Sequence, residues 1–206
     1  MTTSMFDNGK HALLTAGINF PSDTMKAMLV DQGYPGVILT ITNATNANPI
    51  QITTPGAHGL TTGNCVSING VGGNTAANGL FYVTVVDSTH FTLDGSTGSG
   101  AYTSGGTAFD LTNKRWLSDI PSGARVATTT LTTCTATNGV LNADPAVFTA
   151  VAGASCELVI VYKDTGTEST SPLFILYDSI VGFPFSPSGG NVRIEWPTDS
   201  KKMGRI

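Results

Sequence analysis

The sequence predicts an all-β protein, in which a discontinuous β-sandwich or barrel domain carries one N-terminal helix and a small inserted β-barrel-like domain. Three observations predict this class. Short apolar runs of strand length alternate with turn residues along most of the chain. One segment has helical spacing. A stretch rich in Gly, Asn and Thr, residues 57–93, interrupts sequence of a different composition, which indicates one unit set inside another.

Composition supports a packed β protein with few charges. Hydrophobic residues form 40% of the 206 residues, so a core can be built. Charged residues form 12%, about half the usual ~25% of soluble domains. The polar surface must therefore come mainly from Thr, Ser, Asn and Gly, of which Thr favours strands and Gly and Asn favour tight turns.

Charge and hydropathy exclude several classes of partner. The net charge is −4 and no basic stripe is present, so no nucleic-acid partner is expected. No apolar run approaches the ~20 residues that span a bilayer, and no apolar segment follows a basic start, so neither a membrane partner nor a leader peptide is expected. Three widely spaced cysteines predict reduced, buried thiols.

The N-terminal part of the outer domain begins with the helix. Its apolar residues share one face over residues 5–16, and Gly17 can end it. A turn at Pro21-Ser22-Asp23 precedes a strand over residues 25–30. We place the outer domain at residues 1–36 and 110–206.

The inserted domain is placed at residues 37–109. Closely spaced β-prone runs separated by Gly and Asn turns predict a small barrel or sandwich, with strands at residues 37–42, 50–53, 65–68, 80–86 and 90–93. Residues 95–106 are predicted to be a flexible exit from this domain, anchored by Tyr102.

The second part of the outer domain is predicted to be mostly strand. Asn138-Gly139 is a strong hairpin signal, and residues 163–166 form a turn between two apolar strands. Residues 182–190 form a loop that is rich in Pro and Gly. The predicted strands are residues 125–135, 147–149, 157–162, 172–177 and 192–196.

The histidines and cysteines give no catalytic or metal site. His58 and His90 lack a third spaced ligand, so a turn and a strand position explain them better than a metal. His11 is expected to face solvent from the helix. A reactive thiol needs an electropositive neighbourhood, and Cys134 and Cys156 lie in β-prone runs instead. Cys65 also lies in a β run.

Other catalytic patterns are equally weak. Paired carboxylates could serve a glycosidase, and the candidate pairs are Asp164 with Glu168 and Asp178 with Glu195. Turn and solvent-facing roles explain these acids better. No Gly-x-Ser-x-Gly motif is present, and the glycines near position 98 lack the strand and helix of a phosphate loop. We therefore expect no catalytic residues, no cofactor and no metal, and a protein that is not an enzyme.

Four aromatic residues of the outer domain are candidates for partner contacts, because aromatic side chains dominate interface hot spots. For Trp116 and Trp196 a place in the core is favoured. Phe183 and Phe185 lie in the Pro- and Gly-rich loop, where core and interface roles are both open. These two phenylalanines are the candidate interface residues.

Four segments of the outer domain resemble a family of small virion proteins from tailed bacteriophages. They occur in order along the chain: LLTAGINFPSDTMKAMLVD (13–31), LSDIPSGARVATTTLT (117–132), LVIVYKDTGTESTSPLFILYDS (158–179) and FSPSGGNVRIEW (185–196). In that family the first segment leads quickly to the second, whereas here some seventy residues intervene. This break agrees with the change of composition described above.

The inserted segment resembles a β repeat of phage tail and virion proteins, labelled after the first catalytic-cysteine half-domain of ubiquitin-activating enzymes. The resemblance rests on Thr53-Thr54, Ala57-His58-Gly59-Leu60, Gly70-Val71-Gly72-Gly73, Asn78-Gly79 and the run from Val83 to Phe91. The label implies no ubiquitin chemistry, because Cys65 lies in a β run and no nucleotide-binding sequence accompanies it.

The two resemblances imply a structural virion protein, with capsid decoration as the first hypothesis. Such a cement protein would bind the assembled head lattice as an oligomer, a trimer being one arrangement, through many weak and identical contacts. Its partners would be the major capsid protein or other virion proteins, and its location the virion, assembled in the host cytoplasm. The alternative is a tail, neck or baseplate component whose inserted module binds a host or glycan through Phe81, Tyr82, Phe91 or Tyr102.

Overall fold

The fold was analysed in a computed structural model, which describes residues 3–31, 38–112, 114–177, 180–197 and 203–205. The chain forms two compact units. The first, here the outer unit, combines Met1–Gln32 with Lys114–Ile206, and the second, here the inserted unit, is Gly33–Asn113. Each boundary lies four residues outside the one placed from composition, and two connecting stretches, residues 32–37 and 113, lie outside the described residues.

The predicted class is confirmed, because the described residues form strands and a single α-helix. The outer unit contains β1 (Thr3–Met5), α1 (Asp7–Leu14), β2 (Met25–Asp31), β10 (Arg125–Thr130), β11 (Thr135–Thr137), β12 (Val140–Asn142), β13 (Ala146–Phe148), β14 (Cys156–Lys163), β15 (Leu173–Tyr177), β16 (Val192–Ile194) and β17 (Gly204–Arg205). The inserted unit contains β3 (Ile38–Thr40), β4 (Asn43–Ala44), β5 (Ile50–Thr53), β6 (Cys65–Asn69), β7 (Gly79–Val85), β8 (His90–Leu93) and β9 (Thr107–Asp110).

The centre of the outer unit is an antiparallel five-stranded sheet in the order β1-β15-β14-β2-β10. Every residue of β14 from Cys156 to Tyr162 is buried, and so is all of β15. Because successive side chains of a strand point to opposite faces, both faces of the central strands are covered. This explains why these runs are apolar except for Glu157.

Two small sheets cover one face of the five-stranded sheet. They are β11-β12-β17 and β13-β16, and their buried side chains Leu141, Phe148 and Ile194 join Leu29 and Val159 of the large sheet in one core. The outer unit is therefore a two-layer β structure. Tyr177 ties the layers together, because its hydroxyl donates a hydrogen bond of 2.6 Å to the Met203 carbonyl.

The predicted hairpin at Asn138-Gly139 is confirmed. Both residues have positive φ, 52° and 75°, which is the backbone of a two-residue type I′ turn. The turn joins β11 to β12 with Thr137 opposite Val140. The long strand predicted over residues 125–135 is wrong in its second half, because β10 ends at Thr130 and the chain turns through Thr133, where φ is 52°.

The helix is shorter at both ends than residues 5–16. Met5 pairs with Ile175 as part of β1, so the sheet takes the first predicted helical residue. At the other end Ala16, and not Gly17, adopts the left-handed backbone, with φ of 57°. The Gly17 N–H then donates to the Ala12 carbonyl at 2.7 Å, which is the hydrogen bond of a Schellman-type helix end.

The inserted unit is a closed antiparallel barrel. Its strands follow the order β3-β9-β6-β7-β8-β5-β4. β3 and β4 are consecutive parts of one extended segment, residues 38–44, whose first half pairs with β9 and whose second half pairs with β5. Two further backbone hydrogen bonds, from Ile41 to Gly106 and from Thr42 to Thr53, continue this pairing. Closure removes exposed sheet edges, and a core around Ile52, Ile68 and Phe91 fills the interior.

The segment 95–106 is pinned to the barrel, and the prediction of a flexible exit is wrong. The Gly72 N–H donates to the Ser104 carbonyl at 2.8 Å, and the Ser99 N–H donates to the Asn74 side chain at 2.9 Å. The hydroxyl of Tyr102 donates to the carbonyls of Ile41 and Gly105. Tyr102 is thus an anchor, as predicted, but it is one of several.

Gly9 sets how closely α1 approaches the central sheet, and we expect Gly9→Ala to destabilise the outer unit. A Cβ at this position would lie 2.9 Å from both the Cα and the carbonyl oxygen of Phe174. In a helix interior, alanine is more favourable than glycine by up to about 1 kcal/mol. A net loss of stability in this variant would therefore show that the steric clash with Phe174 outweighs the helix propensity of alanine. We expect a net loss of about 1–3 kcal/mol in the free energy of unfolding, measured by chemical denaturation.

The matched control is Gly190→Ala in the same unit, where an added Cβ meets nothing within 4 Å. This variant should unfold like the wild type. Equal stability of the Gly9→Ala and Gly190→Ala variants would contradict the close approach of α1 to β15.

Candidate functional site

Phe183 and Phe185, the predicted interface residues, are held in place by the start of β14. Phe185 and Cys156 form an antiparallel bridge, in which the Cys156 N–H donates to Phe185 at 2.9 Å and the Phe185 N–H donates back at 3.1 Å. The Ser155 and Ser186 hydroxyls lie 2.7 Å apart and extend this contact. The loop is therefore fixed to the central sheet at one point.

The two phenylalanine rings form the floor of an apolar groove. Their centroids are 4.9 Å apart at an interplanar angle of 71°, an edge-to-face arrangement. Both side chains are partly buried and pack against the core of the outer unit. The groove has a volume of about 610 Å³ and is lined by Ile180, Val181, Gly182, Phe183, Phe185, Asn191, Val192, Arg193, Ile194, Glu195 and Pro197. Thus the two phenylalanines serve the core on one side and remain accessible on the other.

The rim of the groove combines an exposed apolar residue with an ion pair. Val181 is 97% exposed, and Arg193 donates from Nε to Glu195, with both side chains largely exposed. An apolar floor with a polar rim is the usual anatomy of a protein interface. We call this set the Phe183 groove.

Only one member of the second carboxylate pair of the sequence analysis lies among the described residues. Glu195 is in the ion pair with Arg193, while Asp178 lies outside the described residues.

Asp164 and Glu168, the first carboxylate pair, line one cavity of about 520 Å³ in the outer unit. Asp164 pairs with Lys26, with Nζ 2.6 Å from Oδ2, and Glu168 pairs with Arg125. The hydrogen bond from Lys26 lowers the Asp164 pKa, helped by the Gly166 N–H. The hydrogen bond from Arg125 lowers the Glu168 pKa. A glycosidase needs one carboxyl with a raised pKa to act as the acid, and neither member of this pair meets that condition.

The other residues around this cavity were missed from the sequence. Lys26 is the one charged side chain in the run MKAMLV (25–30), and such a residue needs a partner when it lies beside buried strands. Arg125 begins β10, and Tyr162 is a buried residue of β14 whose pKa is raised by burial. We call the cavity lined by Lys26, Arg125, Tyr162, Asp164 and Glu168 the ion-pair cavity.

His58 and His90 meet at Asp87, but they do not form a metal site. His58 is buried, and its Nε2 donates to the Asp87 carbonyl at 2.8 Å while its Nδ1 accepts from the Leu60 N–H at 3.0 Å. His90 contacts the Asp87 carboxylate through Nδ1 at 2.9 Å. Hydrogen bonds from the Thr89 N–H and from His90 lower the Asp87 pKa to about 2. Both histidines therefore organise the turn between β7 and β8.

The described residues include no group of three or more His, Cys, Asp or Glu side chains that could hold a metal. His11 is exposed on α1, as predicted. Cys156 is buried and burial raises its pKa to about 11, whereas Cys65 and Cys134 are only partly buried. Burial also raises the Cys134 pKa. The prediction of buried thiols thus holds for one of the three cysteines.

The remaining aromatic candidates divide between core and surface. Trp196 is buried, donates from Nε1 to the Asp144 carbonyl at 2.8 Å and stacks near Tyr177, while Trp116 is partly buried. In the inserted unit Phe91 is fully buried and Tyr82 is 64% exposed. Phe81 and Tyr102 pack against the barrel core. Tyr82 is therefore the exposed member of the four proposed glycan-contacting aromatics.

Comparisons with known proteins add no family assignment. The sequence matches no protein-family model and no curated protein. Among the described residues, no helix has both the length and the apolar character required to cross a bilayer.

Replacing His58 tests whether this residue holds the turn of the barrel. His58→Leu removes the acceptor of the Leu60 N–H and the donor to the Asp87 carbonyl, and leaves both backbone groups without these partners. We expect a loss of about 1–3 kcal/mol in the free energy of unfolding, measured by chemical denaturation. His11→Leu, at the exposed position, is the control and should change little; a similar small effect at both positions would argue against a structural role for His58.

The Lys26–Asp164 pair predicts a loss of stability in acid. Because the Asp164 pKa is lower in the folded protein than the ~3.9 of a free Asp, its contribution is complete above about pH 5 and is lost as the pH falls through the folded pKa. Asp164→Asn should cost up to about 1 kcal/mol at pH 7.

The difference between this variant and the wild type should shrink towards pH 3 in urea unfolding experiments. A difference for Asp164→Asn that stays constant with pH would show that the ion pair does not stabilise the fold.

Proposed function

We propose that this chain is a structural protein of a bacteriophage virion that decorates the capsid, and that the Phe183 groove is where it docks on the assembled head lattice. The observation that carries the proposal is the groove itself. It exposes Val181 almost completely beside two partly buried phenylalanines and has an ion-paired rim. Exposed apolar surface with a polar rim is typical of protein interaction sites.

The position of the groove supports a head-protein partner. It lies in the outer unit, and its residues 185–196 belong to the segments that resemble small virion proteins of tailed phages. The major capsid protein, repeated many times on a head, is the partner that this resemblance implies. Many identical weak contacts would add up on such a lattice, more so if the chain acts as an oligomer.

The chemistry of the chain fits a binding role. Neither carboxylate of the ion-pair cavity has the raised pKa of a general acid, and burial raises the pKa of the Cys134 and Cys156 thiols. These groups are poor catalysts at neutral pH. A structural role requires none of them to react.

A tail, neck or baseplate component with a glycan-binding inserted module is the second candidate. The observation that favours this candidate is the exposure of two β7 side chains, Leu80 (49% exposed) and Tyr82 (64% exposed). Aromatic rings on a flat face are common in carbohydrate recognition, but one tyrosine is a smaller platform than the four aromatics that the sequence offered.

Val181→Asp tests the docking proposal without disturbing the core. Val181 is 97% exposed, so the charge should leave stability unchanged within about 0.5 kcal/mol but introduce an unpaired charge into the contact. We expect the purified variant to bind at least tenfold more weakly than the wild type to phage heads that lack this protein. Co-sedimentation measures this binding.

Leu14→Asp is the matched control, since Leu14 is an exposed apolar residue of α1 (88%) outside the groove. It should bind like the wild type. Wild-type binding by Val181→Asp would reject the groove as the docking surface. Localisation of the chain to the tail alone, in a particle reconstruction, would favour the second candidate.

A further inference from the structure

The ion-pair cavity gathers four charged side chains in a protein with few of them. Lys26, Arg125, Asp164 and Glu168 all line its 520 Å³, although charged residues make up only 12% of the chain. The volume lies in the range of small-molecule pockets. The cavity belongs to the outer unit and shares no residue with the Phe183 groove.

The charges of the cavity cancel in pairs. Lys26 Nζ lies 2.6 Å from Asp164, and Arg125 binds both oxygens of Glu168. The guanidinium of Arg125 also donates to the carbonyls of Ile120 and Leu117, at 2.7 and 2.8 Å. It is therefore fixed in position, and its side chain is only 12% exposed. The cavity is rigid on this side and electrically neutral as a whole.

Tyr162 supplies an unused polar group between the two ion pairs. The residue is only 4% exposed, and it lines the cavity. Within the part of the chain that the structure describes, its hydroxyl forms no hydrogen bond, and it is not among the polar atoms that are sealed from solvent. The hydroxyl therefore reaches the solvent of the cavity, where a ligand hydroxyl can take the place of water as its partner.

We propose that the ion-pair cavity binds a neutral polyhydroxyl ligand, one sugar residue of a glycan, with the Tyr162 hydroxyl as a direct contact. An anion would have to compete with Asp164 and Glu168, and a cation with Lys26 and Arg125. A sugar hydroxyl both donates and accepts, so it can bond to the tyrosine, to the remaining N–H groups of Lys26 and to the second lone pairs of the carboxylates without breaking an ion pair.

This inference goes beyond capsid docking, because it assigns a ligand site that the docking proposal does not need. It also differs from the glycan-binding alternative, which used aromatic residues of the inserted unit. Binding involves no bond making or breaking. The glycan could be supplied by a host surface, and the experiment below depends only on the sugar.

The experiment observes the tyrosine side chains directly. The chain has five tyrosines, so protein labelled with ¹³C at the ring Cζ gives a small set of NMR signals, and Tyr162→Phe identifies the Tyr162 signal by its loss. Full-length protein is titrated separately with glucose, galactose, mannose, rhamnose and N-acetylglucosamine. Inorganic phosphate and ammonium at the same ionic strength are the charged probes.

We expect at least one sugar to shift the Tyr162 signal saturably, while phosphate and ammonium leave it unchanged. Tyr162→Phe removes only the hydroxyl, and it should weaken the binding of that sugar about threefold to tenfold. Saturation transfer to the sugar protons measures this affinity. Tyr82→Phe is the matched control on the exposed face of the inserted unit and should bind the sugar like the wild type.

Three results would overturn the inference. They are no saturable shift of the Tyr162 signal with any of the sugars, a shift with phosphate as large as with the best sugar, and a sugar that shifts the Tyr82 signal instead. Glu168→Gln provides a second variant, since it leaves Arg125 without its carboxylate partner. Phosphate should shift the Tyr162 signal in this variant, and failure to do so would contradict the neutral balance on which the proposal rests.

Discussion

The burial of both faces of the central sheet is the constraint on which the outer unit depends. Cys156 to Tyr162 of β14 are all buried, and a strand can bury every side chain only if something packs on each face. The two small sheets cover one face. The close approach of α1 to β15, made possible by Gly9 beside Phe174, adds Ala12 to this same core.

The two sites differ because of what surrounds them. The Phe183 groove has an apolar floor, and its ion pair lies at an exposed rim, where a partner can cover the floor and leave the charges in water. In the ion-pair cavity, Arg125 is nearly buried and is bonded to two backbone carbonyls as well as to Glu168. Such fixed polar groups favour a ligand that fits their hydrogen-bonding pattern over a broad apolar contact.

The inserted unit depends on a different constraint, the pairing of its sheet edges. A short, nearly uncharged chain of Gly, Asn and Thr would expose open sheet edges if it formed a flat sheet, and closure into a barrel pairs these edges instead. Hydrogen bonds that Tyr102 and His58 donate, and one that Asn74 accepts, then hold its long connections against the barrel. The exposed Leu80 and Tyr82 alternate with core residues on β7, a period-two pattern that is visible in the sequence.

The sequence by itself determined the all-β class, the Asn138-Gly139 hairpin and the apolar strands β14 and β15, because turn chemistry and side-chain periodicity act over neighbouring residues. It also placed Phe183 and Phe185 in a loop, although whether they were buried remained open. Only the tertiary structure decided that Phe183 and Phe185 contact the core and also line the groove. It also decided that Met5 pairs in β1 and is not part of the helix. Finally, it brought Asp164 and Glu168 to the cavity that Lys26, Arg125 and Tyr162 also line. These partners are far apart along the chain, so strand pairing and packing, which local spacing does not encode, bring them together.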